Sequence, residues 1–429
     1  MLSPALQSQV ERVEVLVIGA GPAGLAAAIA AREAGVDRVL VLEREAHMGG
    51  ILPQCIHNGF GLHRFQEELT GPEYAQRDID RIRELGIEVR RETTVLSLEG
   101  SRFAVAVSKA RGIQLVEAGA VVLAMGCRER PRGALAIPGT RPAGVYSAGT
   151  AQRLVNLEGY MPGKRVVVLG SGDIGLIMAR RMTLQGAKVL ACVELMPFSS
   201  GLNRNIVQCL HDYDIPLLLS HTVVGIHGQN RLGAVTVAQV DEQRNPIPGT
   251  EQRMECDTLL LSVGLIPENE LSRQARVDMC DCTQGPVVND ALQTSREGIF
   301  ACGNVLHVHD LVDFVSEESA KAGKAAAAYV RGRLSPRPEV EVRDGPGVRG
   351  VVPQRLRLPE AGREPEAVQL MFRPEAVVEN AVIRVLEGER EVLRQKKRIL
   401  TPGEMAEVRL SPRQLKTLSG GTLTVRIDP

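Results

Sequence analysis

The chain spells one hydrophobic rhythm twice. A short apolar run, Val13 to Ile18, meets a glycine-rich turn from Gly19 to Gly24, and an Ala-rich stretch then reads as a helix to about Ala34. A second apolar run, Val39 to Leu42, closes the unit at Glu43. The same order returns as Arg165–Leu169, Gly170–Gly175, an amphipathic helix to Gln185, and Lys188–Val193 ending at Glu194. Short apolar runs alternating with helix-length segments predict βαβ units around a parallel sheet. A β-rich stretch follows each unit and ends in an apolar run and a glycine: Val121 to Gly126 in the first, Leu259 to Gly264 in the second.

Both turns carry glycine at the first, third and sixth positions, between a strand and a helix. In that setting the first glycine makes a tight turn and the second lets a pyrophosphate approach the backbone. The third lets helix and strand pack closely. Phosphates then meet the helix N-terminus, where free N–H groups and the dipole favour an anion. Glu43 and Glu194 each lie 24 residues beyond the first glycine of their turn, near where a carboxylate binds ribose hydroxyls. One architecture used twice predicts two bound dinucleotides, and a resident flavin with a diffusing nicotinamide is the chemically useful pair.

Composition narrows the partners. At 429 residues and about 150 per domain, the chain has room for three domains. Lys+Arg and Asp+Glu are both 51, aromatic residues are 3%, and there is no Trp, so neither nucleic acid nor anionic lipid is favoured. The longest uncharged stretch, Val15 to Ala31, is 17 residues, is broken by glycines and Pro22, and follows Glu11 and Glu14. It reads as a buried strand turning into a helix, not as a signal peptide or membrane span. Eight scattered cysteines suit free thiols in a reducing compartment, so a cytoplasmic address is expected.

The chain resembles the flavoproteins with two dinucleotide-binding domains of the glutathione reductase-like superfamily. The resemblance rests on Gly19–Gly24 with Glu43, on Ala124-Met125-Gly126, on Gly170–Gly175, and on the segment Thr294 to Asn304. It implies FAD on the first fingerprint and NAD(H) on the second. The expected architecture is therefore α/β, with two Rossmann-like domains, one inserted in the other, plus a small C-terminal β domain. Residues 1–128 and 268–333 would form the FAD-binding domain, 129–267 the NAD(H)-binding domain, and 342–429 the β-rich domain. Cofactor-binding positions are then Gly19, Gly21, Pro22, Ala23, Gly24, Glu43, Gly50, Ala124, Gly126, Gly303 and Asn304 for FAD. For NAD(H) they are Gly170, Gly172, Asp173, Ile174, Gly175, Glu194 and Gly264.

Gly49 to Gly61, Gly126 to Arg130 and Cys302 to Asp310 look more closely like the NAD(FAD)-dependent oxidoreductases associated with glycerol-3-phosphate dehydrogenase-type proteins. That likeness implies an electron-transfer subunit beside a substrate-oxidising flavoprotein and a small cysteine-rich protein. Two departures stand out. The redox cysteine pair of disulfide reductases is missing, since Leu52 occupies the first cysteine position and Cys55 stands alone. Asn304 replaces the usual aspartate of the late flavin motif, and its amide can still hydrogen-bond a ribityl chain or pyrophosphate.

Several reactive side chains carry two readings. Cys55 and His57 follow the Gly49-Gly50 turn that the resemblance puts near the isoalloxazine. They act either as a thiolate or proton donor to reduced flavin, or as residues that shape the pocket. Glu194 favours NADH by repelling a 2′-phosphate, or is a solvated strand end. His307 and His309 would share one face of a strand, with no third ligand at metal spacing, so no metal is expected. Cys280-Asp281-Cys282 reads as structural, Glu317 and Glu318 as helix-start acids, and Lys321 and Lys324 as the exposed face of a helix running to about Val330.

After the linker Leu334-Ser335-Pro336-Arg337-Pro338, short strand-like runs at Ala381–Leu386, Glu391–Leu393, Ala406–Leu410 and Leu423–Ile427 predict a small antiparallel sheet or sandwich. From Glu341 onward there are 16 basic and 13 acidic residues, so charge marks no nucleic-acid module. The run Gln395–Arg398 reads as an exposed hairpin edge. The module is expected to dock a partner or to form a homo-oligomer. The expected activity is hydride transfer between NAD(H) and FAD. Two alternatives are direct oxidation of an amine, amino acid or hydroxy acid, with Arg128 and Arg130 as anion binders, and a non-catalytic scaffold.

Overall fold

The computed structural model describes residues 10–360 and 362–429. The chain divides into two compact units, Met1–Cys127 with Pro267–Pro429, and Arg128–Ile266. The first opens with strand β1 (Val10–Ile18), helix α1 (Pro22–Glu33) and strand β2 (Val39–Leu42). Strand order in its main sheet is Glu88–Arg90, β2, β1, Gly112–Leu123, Phe103–Ser108, Thr93–Leu98, with Ile299–Ala301 also paired to Gly112–Leu123. The pairs around β1 are parallel, and those from Thr93 through Gly112–Leu123 are antiparallel. The second half of β1 and all of β2 are buried on both faces, which is why they read as continuous apolar runs rather than as alternation. α1 is enclosed too, from Ala23 to Ala31. Its small side chains let the long helix Val312–Val330 approach so closely that a Cβ on Gly323 would lie 2.1 Å from the Ala27 carbonyl oxygen.

The second unit repeats the plan with β3 (Arg165–Leu169), α2 (Asp173–Leu184) and β4 (Lys188–Val193). Its parallel sheet runs Val145–Ser147, Thr258–Leu261, β3, β4, Leu217–Leu218. A three-stranded antiparallel sheet, His221–Gly228, Leu232–Gln239 and Gln252–Glu255, completes it. The α/β class with Rossmann-like parallel sheets and additional β sheets is thus as the sequence leads one to expect.

Helix α3 spans Val312–Val330. The C-terminal strands beyond it form a five-stranded, a three-stranded and a two-stranded sheet around their own apolar core, which includes Leu356, Leu370, Phe372, Ile383, Val385 and Val425. Four strands between Glu339 and Pro374 join those read from sequence. The pairing is not wholly antiparallel, because Glu339–Asp344 runs parallel to Leu423–Asp428. Within the first unit these sheets grip the segment that precedes α3. Arg357 makes a two-pronged bond to Asp290 at 3.0 and 2.9 Å. Arg373 pairs with Asp310 and donates to the Val308 carbonyl at 3.1 Å, while the Met405 N–H donates to Asp310 at 2.7 Å. Among the described residues, no helix is long and apolar enough to cross a membrane.

Candidate functional site

Strand register builds the first cradle. Ile18 is level with Leu42 and Leu123, and Leu123 with Ala301. Gly19, Glu43, Ala124 and Cys302 therefore leave the sheet along one edge, the carboxyl end where α/β sheets bind ligands. Gly19 has φ +104°, and a Cβ there would lie 2.5 Å from the Ala124 carbonyl oxygen. A Cβ on Gly24 would lie 1.7 Å from the Gly19 carbonyl oxygen. Both glycines are demanded by the chain's own packing.

Gly21 is different. The nearest atom to a Cβ there is the Gly50 Cα at 3.7 Å, an ordinary contact, and its φ is −73°. Nothing in the fold requires glycine at this position, whereas a phosphate lying against the backbone does. Pro22 starts α1 without a side-chain cap from Gly21, so the first helical turn, with Ala23 and Gly24 in it, presents N–H groups. Gly49 donates its N–H to the Ala20 carbonyl at 2.8 Å and brings Gly50, at φ +58°, against the loop. Glu43, only 6% exposed, accepts the Ala20 N–H at 2.6 Å and the Glu45 N–H at 2.8 Å. Gly126, at φ +69°, has open space around it, and Gly303 packs on Ala23, where a Cβ would come within 2.8 Å. Asn304 spends its amide internally, accepting the His309 N–H at 3.1 Å and donating to the Cys127 sulfur at 3.5 Å.

The second cradle has the same logic. Leu169 is level with Val193 and Leu261. A Cβ on Gly170 (φ +98°) would lie 2.0 Å from the Ser262 carbonyl oxygen, and one on Gly175 would lie 2.7 Å from that of Gly170. The middle glycine, Gly172, has no neighbour nearer than the Ser262 hydroxyl at 3.6 Å. Glu194 is 6% exposed, so it is no solvated strand end; it accepts from Ser171 N at 2.8 Å, Ser171 Oγ at 2.5 Å and Met196 N at 2.9 Å. Asp173 and the half-buried Ile174 open α2. The Asp173 carboxylate, assigned to the cofactor from sequence, accepts within the chain, from the Leu202 N–H at 2.8 Å and the Asn205 amide at 2.7 Å. Gly264 turns at φ +101° with open space around it.

The reactive side chains near the first cradle fare differently. The Cys55 thiol is half-buried and directed at the Ile51 carbonyl at 3.4 Å, and desolvation pushes it up to about 12. A thiolate role needs the opposite shift, so the geometry weighs toward pocket shaping. His57 is half-buried, with Nδ1 3.0 Å from the Asn58 carbonyl and its ring 5.0 Å from Phe60. None of the eight cysteines is in a disulfide.

One cluster is assembled only by the fold, although one of its members was signalled by helical period. His307 and His309 lie in an irregular segment after a short 3-10 turn, Gly303–Val305, not on a strand. Their side chains nevertheless converge on Glu318, which sits inside α3 rather than at its start. His307 Nε2 is 2.7 Å from Glu318 Oε2, and His309 Nε2 is 3.2 Å from Oε1, which also accepts the Gly303 N–H at 2.7 Å. Burial raises the Glu318 carboxyl, but the two imidazoles outweigh it and hold the group well below the usual range. Burial also lowers His307, against the pull of Glu318. The helical period carried the signal: Glu318 falls three residues after the buried Val315 and four before the buried Ala322, on the inward stripe.

A family model described as pyridine nucleotide-disulphide oxidoreductase matches residues 13–328. An opine oxidase subunit of Agrobacterium tumefaciens (strain Ach5) is 29% identical over 344 residues, covering 75% of this chain and 64% of that protein. The hydrogen cyanide synthase subunit HcnB of Pseudomonas protegens is 28% identical over 282 residues, 60% of this chain and 58% of its own. The chain thus spans less than two thirds of the length of these relatives. Among solved structures, thioredoxin reductase of T. acidophilum aligns with a TM-score of 0.62 at 23% identity, over 74% of this chain and 98% of that one.

Proposed function

The chain belongs to the pyridine nucleotide-disulphide oxidoreductase family, and from that premise we propose that it transfers hydride between NAD(H) and FAD as the electron-transfer subunit of a larger oxidoreductase. The observation that carries this reading is the pair of middle glycines. Gly21 and Gly172 are the loop glycines whose missing side chain the chain's own packing does not require, and both lie where a pyrophosphate meets a helix N-terminus. FAD would be held by the first loop, with Glu43 toward its adenosine ribose and the Gly303-Asn304 turn toward the rest. NAD(H) would be held by the second, with Glu194 toward its ribose.

A bound flavin supplies a two-electron carrier; the protein's part is to bind, orient and tune it. Within the chain, first-turn N–H groups of α1 and α2 would neutralise phosphate charge, other than that of Gly175, which donates to the Ser262 hydroxyl at 3.0 Å. Glu194, already a buried carboxylate accepting three bonds, disfavours a 2′-phosphate by charge repulsion, which supports NADH over NADPH. Leu52 at the first cysteine position of the disulfide reductases, and cysteine spacings that never give Cys-x-x-Cys, argue against a dithiol relay, and eight scattered cysteines fit a reducing, cytoplasmic setting. Similarity to subunits of opine oxidase and of hydrogen cyanide synthase supports a partner that oxidises the substrate. A glycerol-3-phosphate dehydrogenase-type flavoprotein, with a small cysteine-rich protein, is the partner the sequence resemblance suggests.

Anaerobic titration with NADH and then NADPH, followed at the flavin absorbance near ~450 nm, tests the proposal. Stoichiometric bleaching by NADH but not NADPH is expected. A yellow protein reduced by an amine or hydroxy acid and by neither nucleotide would replace it with direct substrate oxidation. A colourless protein that takes up no FAD would remove the flavin assignment.

A further inference from the structure

We propose that His307, His309 and Glu318 form a binding site for one divalent transition-metal ion of the zinc class. The three side chains are each buried, and one ligand atom from each lies within 4.8 Å of the others. Two imidazoles and a carboxylate are the donor set of open zinc sites, with a fourth position left for water or another ligand. Hard, all-oxygen calcium or magnesium chemistry does not match it, nor does soft copper(I) chemistry.

The spacing suits an ion. Donors around a tetrahedral zinc, at bonds of about 2.0–2.1 Å, stand about 3.3 Å apart. The His309 nitrogen and Glu318 Oε1 are already 3.2 Å apart. The His307 nitrogen is 2.7 Å from the other oxygen, Oε2, so a rotation of the carboxylate would set one oxygen between the two imidazoles as the single Glu318 ligand atom. Electron-rich atoms converge in a protein interior only when protons or a cation lie between them, because each is otherwise repelled and desolvated. Here the atoms come from two separate elements, an irregular segment and a helix, so an ion would tie one to the other.

The surroundings are those of a supported site. The Gly303 N–H bonds a Glu318 oxygen at 2.7 Å, as outer partners of ligating carboxylates do. Arg373, a cation whose field reaches His307, is paired with Asp310. Metal binding at this place would fix the Gly303–His309 segment against α3 whether or not the flavin reading holds.

The test uses the full chain, purified with flavin as isolated, free of chelators and of any polyhistidine tag. Elemental analysis should find about one equivalent of zinc per chain. After removal by a chelator, cobalt(II) should restore one equivalent and give ligand-field absorption on the red side of the flavin bands. Glu318→Gln, and separately His309→Asn, should weaken cobalt binding by more than the roughly 10–100-fold that loss of an outer-shell partner costs. If a variant does not fold, the cobalt spectrum of the unmodified chain decides alone. Failure to take up zinc or cobalt would overturn the site and leave a triad bridged by protons. Sulfur-to-cobalt charge-transfer bands would overturn it in favour of a cysteine site, and so would zinc retained by a folded Glu318→Gln variant.

Discussion

Glu43 and Glu194 end equivalent strands, lie equally far from their first glycines, and are equally buried at 6% exposure. Each accepts the N–H of the residue after that glycine and the N–H two residues beyond itself. The loops differ in what else they hold. Ser171 adds a hydroxyl bond to Glu194, and its own Oγ accepts from the Ser200 N–H at 3.2 Å. Asp173 ties down Leu202 and Asn205. Ala20 and Pro22, at the matching positions of the first loop, have no side-chain hydrogen bonds to give. Buried polar groups are costly when unmet. The second cradle therefore meets more of its polar groups with its own side chains, which fits the proposal that its cofactor exchanges. The first leaves more of its acid's lone-pair capacity unused by side chains, which fits the proposed resident flavin.

The largest effect expected on this comparison comes from the third glycines. Gly24→Ala would drive a Cβ into a backbone oxygen that cannot move away, and should destabilise the first unit by more than about 3 kcal/mol. Gly175→Ala, with contacts of 2.7 Å and 2.8 Å, should cost less. Thermal melts of the two variants rank them. Gly21→Ala and Gly172→Ala come next and separate packing from binding. Both should fold with unchanged melting temperatures. Gly21→Ala should lose FAD, and Gly172→Ala should keep FAD while losing NADH, each by about tenfold or more, equivalent to 1.4 kcal/mol. Equal melting losses for Gly21→Ala and Gly24→Ala would show that packing, not a ligand, needs the middle glycine.

The strands, turns and acids of both units were legible in the sequence because each is local: an apolar run, a glycine at fixed spacing, a carboxylate at the next strand's end. Which glycine serves packing and which serves a ligand was not legible, because it depends on Ala124 and Ser262, each about ninety or more residues away in the chain. Glu318 was missed for a related reason. Its partners sit nine and eleven residues earlier on an irregular segment, where no periodicity applies. The C-terminal sheet was read only in part, since Glu339–Asp344 pairs with a strand some eighty residues later.

A smaller effect tests what supports the first cradle alone. Arg373 joins the C-terminal sheets to Asp310 and Val308, beside the segment whose His309 N–H holds Asn304. Arg373→Ala should cost about 2 kcal/mol and speed FAD release, while NADH binding to the second cradle stays as it was. Equal loss at both cradles would mean a global effect. Ser171→Ala should cost about 1 kcal/mol of stability. By making Glu194 resemble Glu43, it should also tighten NADH about threefold, a change of under 1 kcal/mol. Weaker NADH binding, measured by equilibrium titration, would reverse the reading of the serine.

The smallest effect is expected from Cys55, which follows the Gly49-Gly50 turn and has no counterpart beside the second cradle. A general acid or base in the reaction contributes about 10²–10⁴-fold to rate. A thiol held up to about 12 by burial stays protonated and supplies no thiolate at neutral pH. Cys55→Ser should therefore leave flavin reduction by NADH within about twofold of the parent, with an unchanged pH profile between pH 6 and 9. Stability gives an independent readout. The unfolded thiol ionises near about 8.5, so the folded chain keeps a proton that the unfolded chain loses. The contribution is fully present below that pH and is lost as pH rises toward 12. The serine variant should accordingly lose slightly less melting temperature than the parent between pH 8 and pH 10. A rate loss of ~10²-fold in that variant would restore the thiol to the chemistry, and would make the first cradle reactive in its own right rather than a holder of the cofactor.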